Sequence, residues 1–203
     1  QRKFLITGFN MGPSMIDAID DVLPQTQCRQ CGFEGCRAYA WSIVMDETPI
    51  NRCATGGAAV IKQLAAITGR EEIPLDPEYG EEVPLAVSFI NPDLCIGCRK
   101  CVAYCPTGAI VGAPKRLHAV LTDWCTGCAL CVIPCPVDCI EMRPAPFQWT
   151  RERAHQARER YHAKLEREKN REARRNARLA QESSAEKKKA LLASILAQVK
   201  KNQ

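Results

Sequence analysis

The chain carries 13 cysteines, and most stand at spacings that a metal cluster requires. One stretch reads Asp93-Leu-Cys95-Ile-Gly97-Cys98-Arg-Lys-Cys101-Val-Ala-Tyr-Cys105-Pro106. At an offset of 30 it repeats as Asp123-Trp-Cys125-Thr-Gly127-Cys128-Ala-Leu-Cys131-Val-Ile-Pro-Cys135-Pro136. Each half is C-x2-C-x2-C-x3-C-P. Three closely spaced thiolates wrap three corners of a [4Fe–4S] cubane, and the fourth reaches across to the neighbouring cluster. The predicted ligand sets are therefore Cys95, Cys98, Cys101 and Cys135 for one cluster, and Cys125, Cys128, Cys131 and Cys105 for the other. Pro106 and Pro136 stop any helix after the crossing ligand. Gly97 and Gly127 let the chain turn at positive φ and bring bare N–H groups to the sulfurs. Zinc also accepts four cysteines, but its sites pair two short C-x2-C hairpins and have no use for a third Cys six residues on.

A second cysteine system lies upstream, with Cys28, Cys31, Cys36 and Cys53 at C-x2-C-x4-C-x16-C. Gly32 and Gly35 keep its turn bare where a cubane would sit. Four thiolates at this spacing suit a zinc ion as well as a cluster. An electron carrier with two clusters gains from a third, which weighs toward three [4Fe–4S] clusters in all. Cys139 is the odd cysteine. It aligns with Ala109 in the repeat and reads as a small buried apolar side chain. Trp124 and Tyr104, next to ligands, read as shields that keep water off a cluster. The three His residues stand apart from the cysteine groups in sequence and suggest no site.

The elements that must position these thiols follow from periodicity. Ser14 to Leu23 predicts a short amphipathic helix, capped by Ser14 with Asp17 in its first turn and ended by Pro24. Arg37 to Met45 and Gly57 to Thr68 predict two more, the latter stopped by Gly69. Their N-termini, after Cys36 and Cys53, would turn positive dipole ends toward an anionic cluster. Residues 70–84 are acidic and proline-rich and read as a linker. Ala86 to Ile90, Ala109 to Val111, His118 to Thr122 and Cys139 to Met142 predict strands, paired as two short hairpins with one small helix per half. Gly112 to Arg116 predicts a turn with an exposed basic pair. The expected fold class is α+β. A small helical four-cysteine domain (1–69) and linker (70–84) precede a two-cluster bacterial ferredoxin domain (85–146) and a basic helical tail (147–203).

Composition narrows the setting. Clustered reduced thiols point to the cytoplasm rather than to a disulfide framework. No run approaches the 18 or so apolar residues of a membrane span, the nearest being Phe4 to Phe9. The chain opens on Gln1 rather than Met, so residues upstream of it are expected. The net charge of +5 divides unevenly. Residues from Arg151 onward hold 16 of the 28 basic and 7 of the 23 acidic side chains, so a basic tail follows an acidic body. That tail lacks Gly and Pro and is rich in Ala, Arg, Glu, Lys and Leu. It predicts one long helix of about 75 Å, or one broken near Ser183-Ser184. Pairs three apart, such as Glu166 with Lys169 and Glu172 with Arg175, support it by about 0.2–0.5 kcal/mol each. Leu191, Leu192, Ile195, Leu196 and Val199 form an apolar stripe suited to docking a protein partner.

Ile19-Asp-Asp-Val-Leu-Pro-Gln-Thr-Gln-Cys28, then Cys31-Gly-Phe-Glu-Gly-Cys36-Arg-Ala-Tyr-Ala, then Ile50-Asn-Arg-Cys53-Ala-Thr-Gly-Gly and the double cysteine run resemble the B subunit of the Rnf/Rsx electron transport complex. The resemblance covers about residues 16 to 142. It implies a four-cysteine [4Fe–4S] domain followed by a two-cluster ferredoxin domain. It also implies a place in a complex that moves electrons between nicotinamide, quinoid or flavin partners and low-potential carriers, coupled to ion transport. The family's N-terminal membrane-anchoring helix has no match in this sequence, and residues 147–203 have no counterpart in the family pattern. The expectation is thus of a B subunit peripheral on the cytoplasmic face of the inner membrane, or of a soluble relative working as a ferredoxin. Other Rnf-type subunits, a flavoprotein, flavodoxin or ferredoxin are the expected partners.

The alternative is a nucleic-acid-associated iron–sulfur or zinc module gripping its target with the tail. No aromatic interleaving or nucleic-acid-binding motif supports it, so nucleic acid is the disfavoured partner. An enzyme with its own substrate site is weaker still. There is no Gly-rich dinucleotide loop and no C-x3-C-x2-C triplet, and four Cys per cluster leave no open iron.

Overall fold

The computed structural model describes residues 14–201. The apolar run Phe4 to Phe9 lies outside them. The chain divides into two units, Gln1–Tyr161 and His162–Gln203.

The first unit begins with three helices. Ser14 and Asp17 close a capping box on α1 (Met15–Val22), each accepting from the other's backbone N–H. α2 (Cys36–Met45) starts on a cysteine itself, one residue earlier than periodicity predicts. α3 (Gly57–Thr68) ends as expected at Gly69, in the left-handed region at φ 68°. Ile19, Leu23, Tyr39, Ile43, Ile50, Ile61 and Leu64 fill the space between them. Both Arg70 terminal nitrogens donate at 2.7 Å to the carbonyls of Thr48 and Ile43, which satisfies orphan acceptors at the end of α2. Residues 70–84 contain one 3₁₀ turn, Pro77–Tyr79, and otherwise no helix or strand. They are tied to the helices, with Asp76 N–H on the Asn51 carbonyl (3.0 Å) and the Arg52 guanidinium over the Tyr79 ring.

The strands that follow differ from two local hairpins. β1 (Ala86–Ile90) pairs antiparallel with β4 (Ile140–Pro144), the first strand with the last. Only β2 (Ile110–Val111) and β3 (Ala119–Val120) form a hairpin. The pairing of ends follows from the repeat, because each half places its entering strand beside the other half's leaving strand. A small helix, α4 (Lys100–Tyr104), forms in the first half alone. Leu130 to Pro134 makes turns in its place. Val87, Ile90, Ala109, Ile110 and Ile140 pack among the cysteines as the second core.

The long helix α5 (Arg151–Lys201) starts within the first unit and is unbroken at Ser183-Ser184. Its opening turns are bound to the body. Arg151 and His155 pair with Asp21, Arg158 reaches Asp20 and Asp21 at 3.4 Å, and Arg153 reaches Asp123. Just before it, the Trp149 indole N–H donates to the Pro24 carbonyl at 2.9 Å. Ala154 and Ala157 are buried. In the second unit the described side chains are exposed except at Lys164, and Lys164–Glu168 and Arg178–Glu182 pair four apart rather than three. Leu191, Leu192 and Ile195 are exposed; the Leu196 and Val199 side chains lie outside the described set.

The capping box carries a prediction. The Ser14 hydroxyl and the Arg37 guanidinium hold the Asp17 carboxyl down at about 2. A carboxylate lowered below its unfolded value stabilises fully above about pH 4 and loses that contribution as pH falls toward the folded value. Ser14→Ala removes a cap worth about 1 kcal/mol and should speed hydrogen exchange of α1 amides about fivefold near neutral pH. The gap between variant and parent should narrow below pH 4.

Candidate metal centre

The first site is built by a polar ladder that cysteine spacing does not reveal. Asp20, buried at the end of α1, accepts from the Gln25 side chain (3.0 Å). Gln25 Oε1 accepts from Gln27 Nε2 (2.8 Å), and Gln27 Oε1 accepts the Cys36 backbone N–H (2.9 Å). Gln25 and Gln27 both sit at positive φ, so the loop before Cys28 is held in a shape that side-chain bonds must stabilise. Gly35 leaves room for this ladder, since a Cβ would stand 2.7 Å from Gln27 Oε1. The result is a cavity lined by Cys28, Cys31, Cys36 and Cys53. Thr26 lines the same cavity, and its buried hydroxyl oxygen has no hydrogen-bond partner.

In the two repeats each ligand loop packs against the other half. A Cβ on Gly97, at φ 71°, would strike the Arg116 backbone nitrogen at 2.5 Å. One on Gly127, at φ 72°, would strike the Ala86 carbonyl at 2.4 Å. Ala86 and Arg116 are themselves one repeat apart. Cys128 and Cys131 both lie in the electrostatic field of Cys105 and Cys125, so the structure gathers Cys105 with the second half's thiols. Cys101 lies near Cys131, Cys98 and Cys95. The backbone N–H of Ala109 points at Cys105 Sγ (3.1 Å).

These thiols fit an iron–sulfur cluster on their chemistry. Burial drives the Cys53 and Cys128 thiols up to about 12 and Cys101 to about 11, and raises Cys31, Cys36 and Cys131 as well. Sulfurs so buried can be thiolates at neutral pH only when bound to a cation, and metal ligands must be deprotonated. Among the described residues, no group of three or more His, Cys, Asp or Glu converges tightly enough for a single metal ion.

Two further side chains touch these thiols. Ser88 N–H reaches Cys125 Sγ at 3.5 Å, and Ser88 Oγ lies 3.1 Å from Cys131 Sγ. One repeat later, His118 Nδ1 lies 3.7 Å from both Cys95 Sγ and Cys101 Sγ. His118 is 4% exposed, and its buried Nε2 has no hydrogen-bond partner. Gly112 makes room for this ring, since a Cβ there would stand 2.0 Å from His118 Cδ2. Cys139 is buried as its alignment with Ala109 predicts, yet its Sγ lies 3.5 Å from Cys135 Sγ. Burial opposes ionisation of Cys135, but N–H groups of Val137 and Cys139 and the Cys139 thiol together hold it below the usual range. Tyr104 and Trp124 are exposed, with the Arg160 guanidinium 4.6 Å from the Trp124 ring centroid.

Comparison with known proteins decides the family. A model described as "4Fe-4S dicluster domain" matches residues 88–142, and one described as "Putative Fe-S cluster" matches residues 23–54. The B subunit of the ion-translocating oxidoreductase complex of Azoarcus sp. is 53% identical over 133 residues, 66% of this chain and 73% of that protein. The protein of the same name from Hahella chejuensis is 55% identical over 135 residues (66% and 68%), and that from Escherichia coli is 50% identical over 131 (64% and 68%). This chain belongs to that B-subunit family. No solved structure matches it. It is a 4Fe–4S electron-transport protein with a ferredoxin-like domain, and among its described residues no helix is long and apolar enough to cross a membrane.

For this member of the B-subunit family, reading the histidines as remote from the cysteines was wrong at His118. Spacing along the chain separates His118 from Cys101 by 17 residues, and the β2–β3 turn brings it back. The repeat itself held the signal, since His118 aligns with Ser88 just as Cys95 and Cys101 align with Cys125 and Cys131. Hydrogen bonds to cluster sulfurs raise reduction potentials by favouring the more negative reduced state. His118→Leu should therefore lower the potential of the cluster at Cys95 and Cys101 by roughly 60 mV, the one-electron equivalent of about 1.4 kcal/mol. Ser88→Ala should lower that of the cluster at Cys125 and Cys131 instead. Redox titration followed by electron paramagnetic resonance reads both.

Proposed function

We propose that this chain relays single electrons through three [4Fe–4S] clusters, as the B subunit of an ion-translocating oxidoreductase complex. The ligand sets are Cys28, Cys31, Cys36 and Cys53; Cys95, Cys98, Cys101 and Cys135; and Cys105, Cys125, Cys128 and Cys131. Cys139 is a neighbour rather than a ligand. The observation that carries this reading is the cavity that Cys28, Cys31, Cys36 and Cys53 line together, with Cys105 close to Cys128 and Cys131 in the repeats. When bound, each cluster supplies a site that takes up and gives back one electron with little rearrangement.

The residues around the thiols do the rest. The Gln25–Gln27 ladder orients the Cys36 N–H end of α2 toward the first group. Ser88, His118 and the Ala109 N–H present donors to the sulfurs of the other two. The Thr126 hydroxyl donates to the Thr26 carbonyl at 2.9 Å. That bond joins the loop of Cys125 and Cys128 to the loop of Cys28, so the four-cysteine group stands next to the second repeat.

Other members of the complex are the expected neighbours, with a flavoprotein, flavodoxin or ferredoxin as further redox partners. The setting is cytoplasmic, peripheral on the cytoplasmic face of the inner membrane. Residues 162–203 serve as a protein tether, anchored by Leu191, Leu192 and Ile195.

Anaerobically purified protein should contain about twelve iron and twelve sulfide, four of each per cubane. Eight iron with one zinc would assign Cys28, Cys31, Cys36 and Cys53 to a structural zinc ion and reduce the relay to two clusters. Removing residues 162–203 should leave iron content and spectra unchanged and slow electron transfer within the assembled complex.

A further inference from the structure

The two repeats are alike in backbone and unlike in what covers them. Thr126, inside the second ligand loop, is 2% exposed because the four-cysteine domain sits on it through the Thr26 carbonyl. Its repeat partner Ile96 is 58% exposed. Asp123 is met by Arg153 and Trp124 by Arg160, both from α5, though Asp123 and Trp124 stay exposed, as do their repeat partners Asp93 and Leu94. One face of this pseudo-symmetric domain is thus already occupied by an iron–sulfur domain of the same chain, and the other is open.

The open face has its own chemistry. Leu94 and Ile96 bracket Cys95 in the chain, and Leu117 follows the 115–116 backbone that presses on Gly97. Leu94 and Leu117 are 52% and 57% exposed, and Cys98, next to Gly97, is the one exposed cysteine of the described chain. Arg99 and Lys100 follow Cys98 in the chain, Lys115 and Arg116 lie against Gly97, and all four are exposed, as is the carboxylate of Asp93. The basic pair is not a loose turn. Lys115 N–H donates to the Gly97 carbonyl at 3.0 Å, and Arg116 N–H to the Ala113 carbonyl at 3.0 Å. Gly97 lacks a Cβ where the backbone of 115–116 presses on it. The segment that fills this place in the other repeat is Leu85-Ala86, so the cations are particular to the open face.

We propose that the Leu94–Ile96–Cys98–Leu117 face is the docking site for an acidic redox protein, which exchanges electrons with the cluster held by Cys95, Cys98 and Cys101. An apolar centre with a charged rim is the anatomy of a transient interface, and a rim of one sign chiefly sets the encounter rate. The inference rests on the three-cluster reading above. In the transfer, one electron leaves the reduced partner and one enters this chain. No bond forms or breaks.

The test uses the full-length holoprotein and, as probe, an acidic [2Fe–2S] ferredoxin reduced beforehand and mixed anaerobically by stopped flow. Lys115→Glu/Arg116→Glu should slow the bimolecular rate about tenfold or more at low ionic strength, and the rates of variant and parent should converge in high salt. Ile96→Asp should slow it at every salt concentration. Reduction by methyl viologen radical, a small cation with no need of the face, should be no slower in either variant, with iron content unchanged. Unaltered ferredoxin rates in both variants, or a loss produced instead by Arg174→Glu/Arg175→Glu in the tail, would overturn the docking site and leave the relay intact. A parent that self-associates through this face, becoming monomeric with Ile96→Asp, would assign it to a second copy and also overturn the proposal. Parent protein that holds iron but takes no electron from either reductant would instead sink the relay reading beneath it.

Discussion

Burial of thiols governs this structure. A sulfur in an apolar core cannot carry charge alone, and the pressure on Cys36, Cys53 and Cys128 is strongly toward the protonated form. Those sulfurs are also a large part of the second core, where Cys101, Cys105, Cys125, Cys131 and Cys135 pack among only a handful of aliphatic side chains. Strands of two to five residues bury little area of their own. Metal ligation and folding are therefore one process for this domain, as in other small domains whose cores cannot stand without a metal.

The repeat then divides labour between two similar halves. Where Ser88 meets Cys131, His118 meets Cys101; where Ala109 stands behind Cys105, Cys139 stands behind Cys135. The same backbone thus sets different donors beside the two groups of thiols, the kind of difference that tunes a cluster's potential. The outer faces diverge too. Thr126 accepts a domain of its own chain, and Ile96 stays open with cations beside it. The Thr126 bond to the Thr26 carbonyl sets the four-cysteine group beside the second repeat.

The Ser14 cap, the Gly69 stop and the strand at Ala86 to Ile90 were legible because each rests on local spacing or on one residue's backbone preference. What escaped is what the third dimension brings together. Pairing β1 with β4 rather than in a hairpin needs contacts across 50 residues. The role of His118 depends on a turn whose geometry hinges on Gly112. The Gln25–Gln27 ladder reads in sequence as polar loop, since nothing local says that both side chains are buried. The opening of α5 appeared only as charge and helix propensity; its bonds to Asp20 and Asp21 needed α1 to be placed first.

The crossing of Cys105 and Cys135 between halves is the central claim, and it has a direct measurement. Cys135→Ser and Cys105→Ser proteins, each reduced stepwise and followed by electron paramagnetic resonance, report which cluster each cysteine holds. Crossed ligation predicts that Cys135→Ser alters the signal of the cluster that senses His118 and leaves the one that senses Ser88, with Cys105→Ser doing the reverse. If Cys135→Ser alters only the cluster that senses Ser88, each half binds its own four cysteines and the crossed arrangement is wrong.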